Sequence, residues 1–287
     1  MKAPAFTFER ALTLNDAFDL FEAGDGEALY LAGGHSVVPS LALRLQAPET
    51  LIDIAEIPEL SGIREEREML RIGAMTRHAE ILADPLVATH APLLAMAAPH
   101  VAHVAIRNRG TIGGNLCHAD PASEFPAVML ALEAEMEIAS PEGHRRVPAR
   151  DFFVDLYETA CAPGEILVAL HVPVVGRATR CAFDEIARRQ GDYAMVGCAV
   201  QITLKDGRIT DPRVAFLSVG PTPRRVPACE QVLNDTPLSA DTISRAQHAL
   251  AAELEPMDDP NVPPAMRLHL ARVLLGRLLR QLENDHV

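Results

Sequence analysis

The sequence lacks several features that mark common classes of ligand-binding protein. It contains no tryptophan, and aromatic residues make up only 4% of its 287 residues. Stacking on aromatic rings therefore cannot be the main way in which it holds a ligand, and backbone donors must supply most of the contacts. Its 48% of hydrophobic residues is nevertheless enough to build a sizeable core.

Signals for membranes and nucleic acids are missing as well. No run of about 18 apolar residues is present, and the amino terminus has no apolar segment of signal-peptide length. The formal net charge of -13 opposes binding to nucleic acid, which requires a basic surface. We therefore expect a cytoplasmic protein with no membrane insertion and no nucleic-acid partner.

Clustered cysteines are absent too. The five cysteines are scattered, and none forms the C-x-x-C spacing that ligates zinc or an iron–sulfur cluster. They are expected to be buried thiols in a reducing compartment. These residues are Cys117, Cys161, Cys181, Cys198 and Cys229.

Two glycine-containing segments are the most informative feature that is present. The first glycine segment comprises Ala32, Gly33, Gly34, His35 and Ser36, and the second comprises Thr111, Ile112, Gly113, Gly114 and Asn115. Each follows an apolar run, so bare N–H groups could be offered at the end of an ordered element. Neither matches the G-x-x-x-x-G-K-[ST] or G-x-G-x-x-G fingerprint. Two such segments can enclose one diphosphate from both sides, which indicates a dinucleotide.

The residues around these segments form a recognisable series. It runs through 30–39, 51–53, 106–116, 120–124, 151–153, 164–167 and 188–194. This series resembles the FAD-binding medium subunits of the molybdenum hydroxylases, the xanthine dehydrogenase and aerobic carbon monoxide dehydrogenase type of enzymes. The resemblance spans nearly the whole chain and weakens after about residue 223.

This resemblance implies a fold and a division of the chain. The fold class is α+β: a two-lobed PCMH-type FAD-binding domain followed by a C-terminal α+β domain of strands and then helices. The expected boundaries are 1–55 for a small FAD-binding lobe, 56–175 for a second FAD-binding lobe and 176–287 for the C-terminal domain of the flavoprotein subunit.

Function and partners are implied in the same way. The chain would be the flavoprotein component of an oxidoreductase and would bind FAD non-covalently. It would receive electrons from [2Fe–2S] centres in a small subunit and pass them to an external acceptor. The molybdenum cofactor would lie in a large subunit, and the complex would be a dimer of heterotrimers.

The resemblance also assigns roles to individual residues. Both glycine segments would contact the diphosphate. Glu124, where several members have Asp, and Asp120 would hold ribityl or ribose hydroxyls. Leu167 would meet the flavin through its backbone, and Tyr193 would face the isoalloxazine. No catalytic side chain and no metal ligand is expected in this chain.

Two other functions remain open from the residues alone. A Gly-Gly-His triplet such as the one ending at His35 also occurs in similarly folded oxidases that attach flavin covalently through histidine. A subunit that keeps the fold without flavin would act only in assembly.

Three further residues deserve a prediction. His100 and His103 are spaced i, i+3 and could share a metal on a helix face, but no third ligand at suitable spacing is evident, which favours packed histidines. Some family members carry lysine where this chain has Glu185, so a positive charge near the flavin is not expected here.

Sequence periodicity predicts the elements around these motifs. A β-α-β-α-β unit is expected from strands at 6–8, 28–32 and 50–54 and helices at 14–21 and 39–45. The second lobe should contain helices at 76–82 with Thr76 as cap, 91–102 and 125–132, and strands at 69–72, 135–139 and 166–172. The C-terminal part should contain strands at 196–204 and 214–219, then helices at 243–254 and 265–282, the last with leucines on the core side and arginines on its other sides.

Overall fold

The computed structural model describes residues 2–260 and 262–284, and its first lobe is a small parallel sheet with helices. The strand order is β1-β3-β2, and both neighbours of the central strand run parallel to it. The predicted β-α-β-α-β unit is confirmed. Its elements are β1 (Thr7–Arg10), α1 (Leu14–Ala23), β2 (Ala28–Leu31), α2 (Val37–Leu43) and β3 (Thr50–Asp53).

A capping box starts helix α1. The Thr13 hydroxyl accepts a hydrogen bond from the Asp16 N–H, and the Asp16 carboxylate accepts one from the Thr13 N–H, both at 3.0 Å. Each side chain thereby satisfies an amide that the first helical turn leaves without a partner. Thr13 is therefore the N-cap of α1.

The second lobe is built on a five-stranded antiparallel sheet with strand order β4-β5-β10-β6-β7. Strands β8 and β9 form a separate small hairpin. The lobe consists of β4 (Ile63–Glu66), β5 (Met69–Gly73), α3 (His78–Ala83), α4 (Pro85–His90), α5 (Pro92–Ala97), α6 (Val104–Arg107), α7 (Ile112–His118), α8 (Glu124–Leu132), β6 (Glu135–Ser140), β7 (Gly143–Pro148), α9 (Ala149–Phe152), β8 (Phe153–Asp155), β9 (Glu158–Thr159) and β10 (Ile166–Pro173).

The predicted helix 91–102 is wrong beyond Ala97. Pro99 has no N–H to continue the helical hydrogen-bond ladder, so α5 ends before it. The Arg107 guanidinium then binds the chain as it turns, with Nη1 at 2.8–3.2 Å from the carbonyl oxygens of Pro99, Val101 and Ala102. An arginine side chain thus replaces the missing backbone donors.

The predicted Thr76 cap is also wrong. Helix α3 begins at His78 with Arg77 as its N-cap, one residue after the predicted cap, and the Glu80 carboxylate accepts the Arg77 N–H at 2.7 Å. Among the described residues, the buried Thr76 hydroxyl has no hydrogen-bond partner. An acidic side chain inside the first turn therefore replaces the hydroxyl cap that the sequence suggested.

Tyr30 joins the two lobes. Its hydroxyl donates to the carbonyl oxygens of Ala17 in the first lobe and Gly164 in the second, at 3.3 and 3.1 Å. The ring stacks on Phe21 with 5.0 Å between ring centroids. Gly164 has a φ of +84°, and a Cβ there would lie 3.1 Å from the Phe21 ring. A glycine is therefore required where the lobes touch.

Helix α8 is the central packing element of the molecule. Each of its residues, including Glu124, is buried. It packs against α5 and α7 of its own lobe and against strands of the C-terminal sheet. A helix that is apolar on all sides is stable only when it is enclosed in this way. The second lobe and the C-terminal sheet consequently share one continuous core.

The C-terminal part contains strands followed by helices, as predicted. Its sheet is antiparallel with order β11-β12-β13-β14, and the helices cover the face that α8 leaves free. The elements are β11 (Thr179–Ile186), β12 (Val196–Lys205), β13 (Arg208–Leu217), β14 (Arg224–Arg225), α10 (Pro227–Leu233), α11 (Ala240–Ala249) and α12 (Pro264–Asn284).

Helix α12 differs from its predicted form in one residue. Arg267, expected on a solvated face, is buried and donates to the carbonyl oxygens of Met195 and Ser218 at 2.9 and 2.6 Å and to the Asp259 carboxylate at 2.8 Å. These hydrogen bonds therefore connect the helix to the C-terminal sheet. No helix within residues 2–260 and 262–284 has both the length and the apolar character needed to cross a membrane.

Glu137 links four strands of the second-lobe sheet. Its carboxylate contacts His171 Nε2 at 2.8 Å, His144 Nδ1 at 2.9 Å and Arg71 Nε at 3.8 Å. Partial burial alone would raise the pKa of Glu137, but the hydrogen bonds from both histidines and the charge of Arg71 lower it overall. The folded protein therefore favours the charged carboxylate.

Replacing this carboxylate should reduce stability in a pH-dependent way. A lowered folded-state pKa stabilises the protein above the unfolded pKa, and that contribution disappears as pH falls through the folded pKa. Glu137→Gln should cost about 1–3 kcal/mol at pH 7, with a difference that narrows as pH falls below the ordinary glutamate pKa of about 4.3. Thermal unfolding across this range measures it. The exposed Glu142→Gln is the control, and an equal loss at pH 3 and pH 7 would contradict the assignment.

Candidate functional site

The two glycine segments lie side by side in the structure. A Cβ on Gly33 would be 2.5 Å from the carbonyl oxygen of Arg109 and 2.9 Å from the Cα of Gly110. A Cβ on Gly114 would be 3.5 Å from the Cβ of Ala32. Residues about 80 positions apart in sequence therefore meet at one edge between the two lobes, and Gly33 permits a contact that any side chain would block.

The first glycine segment carries free backbone donors. It connects the end of β2 to the start of α2, and Gly34 has a φ of +77°. Within the part of the chain that the structure describes, the N–H groups of Gly33, Gly34, His35 and Ser36 donate to no protein acceptor. Consecutive amides of this kind form a concave site for an anion such as a phosphate.

The second glycine segment differs from the expected loop, because it is the first turn of helix α7. Thr111 is the N-cap, and its hydroxyl accepts the Gly114 N–H at 3.2 Å. The N–H groups of Ile112 and Gly113 donate to the carbonyl oxygens of Thr76 and Ala74 at 2.9 and 2.8 Å. The expectation of bare amides along this segment is therefore wrong for these residues.

Gly113 and Asn115 have other structural tasks. A Cβ on Gly113 would lie 2.5 Å from the Cβ of Ala74, so this glycine permits α7 to pack on the strand end. The Ser123 hydroxyl bonds Asn115 Oδ1 at 2.8 Å. That bond orients the carboxamide and connects α7 to the turn before α8.

His78 packs against Gly110, the residue before the second glycine segment, a contact that its isolated position in the sequence did not indicate. Its backbone N–H donates to the carbonyl oxygen of Gly110 at 3.0 Å, and its ring packs on Phe125 with ring centroids 5.2 Å apart. Burial, followed by electrostatic interactions with His35 and Arg107, lowers the pKa of His78 to about 4. The ring is therefore neutral at physiological pH.

Asp120 lies between two tyrosines. Its carboxylate accepts the Ala122 N–H at 2.9 Å. Partial desolvation, then the charge and hydrogen bond of Asp120, raise the pKa of the Tyr193 hydroxyl and likewise that of Tyr157. Tyr193 is 73% exposed, so its ring is available for a ligand. Tyr157, which also contacts the His118 ring, was missed because an isolated tyrosine in a loop carries no pattern.

Glu124 is buried rather than part of a solvated turn. Only 8% of its surface is exposed. Burial, followed by the charge of Glu185, raises the pKa of Glu124 to about 8. The neighbour of the Glu185 carboxylate is His100, whose Nδ1 lies 3.6 Å from Glu185 Oε1.

Leu167, His103 and the cysteines have surroundings of their own. Leu167 is buried in β10 at a bulge, where pairing with β6 shifts register before Ala169. His103 packs against Gly191, where a Cβ would lie 2.5 Å from the His103 ring, so the two histidines contact different partners. The buried-thiol prediction is wrong for Cys117, which is exposed, and Cys161 is only partly buried.

Comparison with known proteins decides the family. Residues 4–175 match the FAD binding domain in molybdopterin dehydrogenase, and residues 181–282 match the CO dehydrogenase flavoprotein C-terminal domain. The chain belongs to the FAD-binding medium subunits of the molybdenum hydroxylases. The resemblance found in the sequence, the α+β fold class and the assignment to an oxidoreductase subunit are thus confirmed.

Individual relatives cover nearly the whole chain. It is 38% identical over 280 residues to the 6-hydroxypseudooxynicotine dehydrogenase complex subunit alpha of Paenarthrobacter nicotinovorans, covering 97% of this chain and 95% of the relative. It is 37% identical over 259 residues to the carbon monoxide dehydrogenase medium chain of Hydrogenophaga pseudoflava, covering 90% of each. A solved structure of carbon monoxide dehydrogenase from that organism superposes with a TM-score of 0.95 at 37% identity, covering 98% of both chains.

The buried carboxyl of Glu124 generates a stability prediction. A raised folded-state pKa means that stability is full at low pH and falls as pH rises from about 4.5 to about 8. Glu124→Gln, which resembles the protonated acid, should match the unmodified apoprotein near pH 5 and exceed its stability by about 2–4 kcal/mol at pH 9. Chemical unfolding at both pH values tests this, with exposed Glu22→Gln as control. Equal stability at pH 9 would contradict a buried charge.

Proposed function

We propose that this medium subunit holds FAD non-covalently between its two glycine segments and passes electrons from the [2Fe–2S] centres of a partner to an external acceptor. The observation that carries the proposal is the row of unpaired amides at Gly33, Gly34, His35 and Ser36, placed against the N-cap of α7. A diphosphate supplies the acceptors that these donors need.

The two segments contribute different groups in this proposal. The first donates backbone hydrogen bonds and the Ser36 hydroxyl. The second contributes mainly side chains, those of Thr111 and Asn115, while Ile112, Gly113 and Gly114 set the backbone path. Negative charge is further favoured there by the positive end of α7. The small residue Ala32 keeps the first segment close to Gly114.

Residues beyond the segments fit the rest of the cofactor. Asp120 and Glu124 offer carboxyl oxygens for ribityl or ribose hydroxyls, and exposed Tyr193 offers an aromatic face for the isoalloxazine. Leu167 offers backbone at the bulge in β10. FAD, when bound, supplies reversible one- and two-electron chemistry. The protein's task is to bind it, orient it and set the charge around it.

Partners follow from the relatives. One relative is named as a subunit of a dehydrogenase complex and another as a medium chain. We propose a large molybdenum-cofactor subunit and a small [2Fe–2S] subunit, assembled as a dimer of heterotrimers in the cytoplasm. Interfaces in such obligate complexes commonly bury more than about 2,000 Å².

Glycine substitution tests the cofactor site. Gly34→Val should lower FAD affinity by about 100-fold or more, or about 2.7 kcal/mol, because it disturbs the donor row in a left-handed conformation. Gly26→Val is a matched control, since Gly26 also has a positive φ, +87°, but no neighbour within 4 Å. Gly114→Val should also weaken binding, because its Cβ would lie 2.9 Å from the capping hydroxyl of Thr111. Titration with FAD gives the affinities, and full native affinity in both site variants would refute the two-segment site.

The mode of attachment has a direct test. Precipitation with trichloroacetic acid should release all flavin to the supernatant, because His35 forms no covalent bond in the proposed site. His35→Ala should weaken affinity without abolishing binding. Flavin retained on the precipitated chain would instead support the covalent oxidase.

The electron-transfer role requires the native complex. Purification of the tagged chain from its own cells, followed by mass spectrometry, should recover a large subunit and a small cysteine-rich one. The isolated chain with FAD should accept electrons from dithionite but oxidise no hydroxylase substrate. Recovery of the chain alone with substrate oxidation intact would overturn the assignment, and a colourless chain in an active complex would support the assembly subunit.

A further inference from the structure

Two of the five cysteines lie together where the end of α7 packs on the chain between β9 and β10. Cys117 is in the last turn of α7, and Cys161 is in the connection that follows β9. Helix α7 contacts both β9 and β10, and the ring centroids of His118 and Tyr157 are 5.1 Å apart at the same place. The Cys117 and Cys161 side chains are hydrogen-bonded to each other. Two thiols that are distant in sequence are therefore direct neighbours.

The hydrogen bond makes the two sulfurs unequal. It raises the pKa of Cys117 and lowers the pKa of Cys161, so Cys117 is the S–H donor and Cys161 the acceptor. A hydrogen bond with the Thr159 side chain and the charge of Arg145 also lower the pKa of Cys161, against the opposing effects of burial and Glu165. Arg145 Nη2 is held in place by the Glu165 carboxylate at 2.6 Å. Because the thiolate is the nucleophilic form of cysteine, Cys161 is the more reactive of the two.

Exposure separates this pair from the other three cysteines. Cys117 is exposed and Cys161 is partly exposed, whereas Cys181, Cys198 and Cys229 are buried. Burial raises the pKa of Cys181 to about 11 and that of Cys229 to about 12, and it also raises the pKa of Cys198. These three therefore remain neutral thiols that a reagent in solvent does not reach, and thiol chemistry of the folded chain is directed to the pair.

We propose that Cys117 and Cys161 form a reversible redox site that hydrogen peroxide oxidises to a disulfide. The Cys161 sulfur attacks one peroxide oxygen, the O–O bond breaks, and the leaving hydroxide takes up a proton to become water. Cys117 then gives up its proton and its sulfur attacks the sulfenic acid on Cys161, so that an S–S bond forms, the S–O bond breaks and a second water leaves. Two thiols and one peroxide thus give one disulfide and two waters. A dithiol reductant returns two electrons and two protons and restores both thiols.

The disulfide would join two segments that meet the rest of the molecule at different places. Cys117 is at the carboxyl end of α7, the helix whose N-cap is Thr111 in the second glycine segment. The connection that carries Cys161 also contains Gly164, whose carbonyl oxygen accepts the Tyr30 hydroxyl at 3.1 Å where the lobes touch. Oxidation therefore fixes α7 covalently to the chain at the junction between the lobes. This site is independent of bound FAD.

Peptide mapping of the full chain tests the disulfide. Trypsin cleavage after arginine places Cys117 in the peptide 110–145 and Cys161 in the peptide 151–177. Brief treatment of the folded protein with hydrogen peroxide, then alkylation and digestion without reductant, should give these two peptides joined, and dithiothreitol should separate them. Cys181→Ala is the control and should leave the linkage unchanged. Absence of the joined peptides from the oxidised unmodified protein, or an equal yield from urea-unfolded protein, would overturn the site.

A second measurement tests which sulfur reacts first. Dimedone labels sulfenic acids, and in Cys117→Ser no second thiol is present to consume the one formed on Cys161. Peroxide and dimedone should therefore label Cys161 in Cys117→Ser, whereas labelling of Cys117 in Cys161→Ser should be about tenfold slower. Circular dichroism checks that both variants are folded. Equal rates of labelling in the two variants, or faster labelling of Cys117, would overturn the assignment of Cys161 as the attacking sulfur.

Discussion

The close contact between the first glycine segment and Arg109–Gly110 is the constraint on which the rest of the site depends. It brings together two lobes with separate sheets, and it exists only because Gly33 has no side chain. The donor row thereby lies next to the residues that lead into α7. Tyr30 strengthens the same junction from its other side through its bonds to Ala17 and Gly164. The geometry of the proposed anion site is therefore a property of the interface between the lobes.

Equivalent-looking glycine pairs have unequal functions in this arrangement. The pair at Gly33 and Gly34 combines a close approach with free amides, whereas Gly113 serves helix packing and its amide is already bonded to Ala74. A glycine motif therefore predicts only that the backbone closely approaches another group. Whether that group is a ligand or the protein depends on whether the N–H groups of the motif already donate to protein acceptors. Here Ala74 accepts the Gly113 N–H and the Thr111 hydroxyl accepts the Gly114 N–H, so side chains must complete that half of the proposed site.

Periodicity in the sequence predicted the apolar elements and left the polar ones out. Helix α8 was predicted from its apolar run and strand β10 from alternation, and the structure buries both, β10 on its two faces. Strand β7 was not predicted, since the exposed, charged residues along it show no alternation with the core. The contact between His100 and Glu185, 3.6 Å apart, was also not predicted, because the two residues are far apart in sequence and become neighbours only through packing. Resemblance supplied Glu124 and Tyr193 as site residues, but their burial and charge required the structure.

The C-terminal domain takes part in the site through this packing. The Ser218 N–H, directly after β13, donates to the Pro121 carbonyl at 2.8 Å, within the turn that carries Asp120. Arg267 in turn binds the carbonyl of Ser218. Helix α12, the C-terminal sheet and the Asp120 turn are thus connected by consecutive hydrogen bonds. A domain that lies outside the two lobes therefore helps to fix the position of the Asp120 turn.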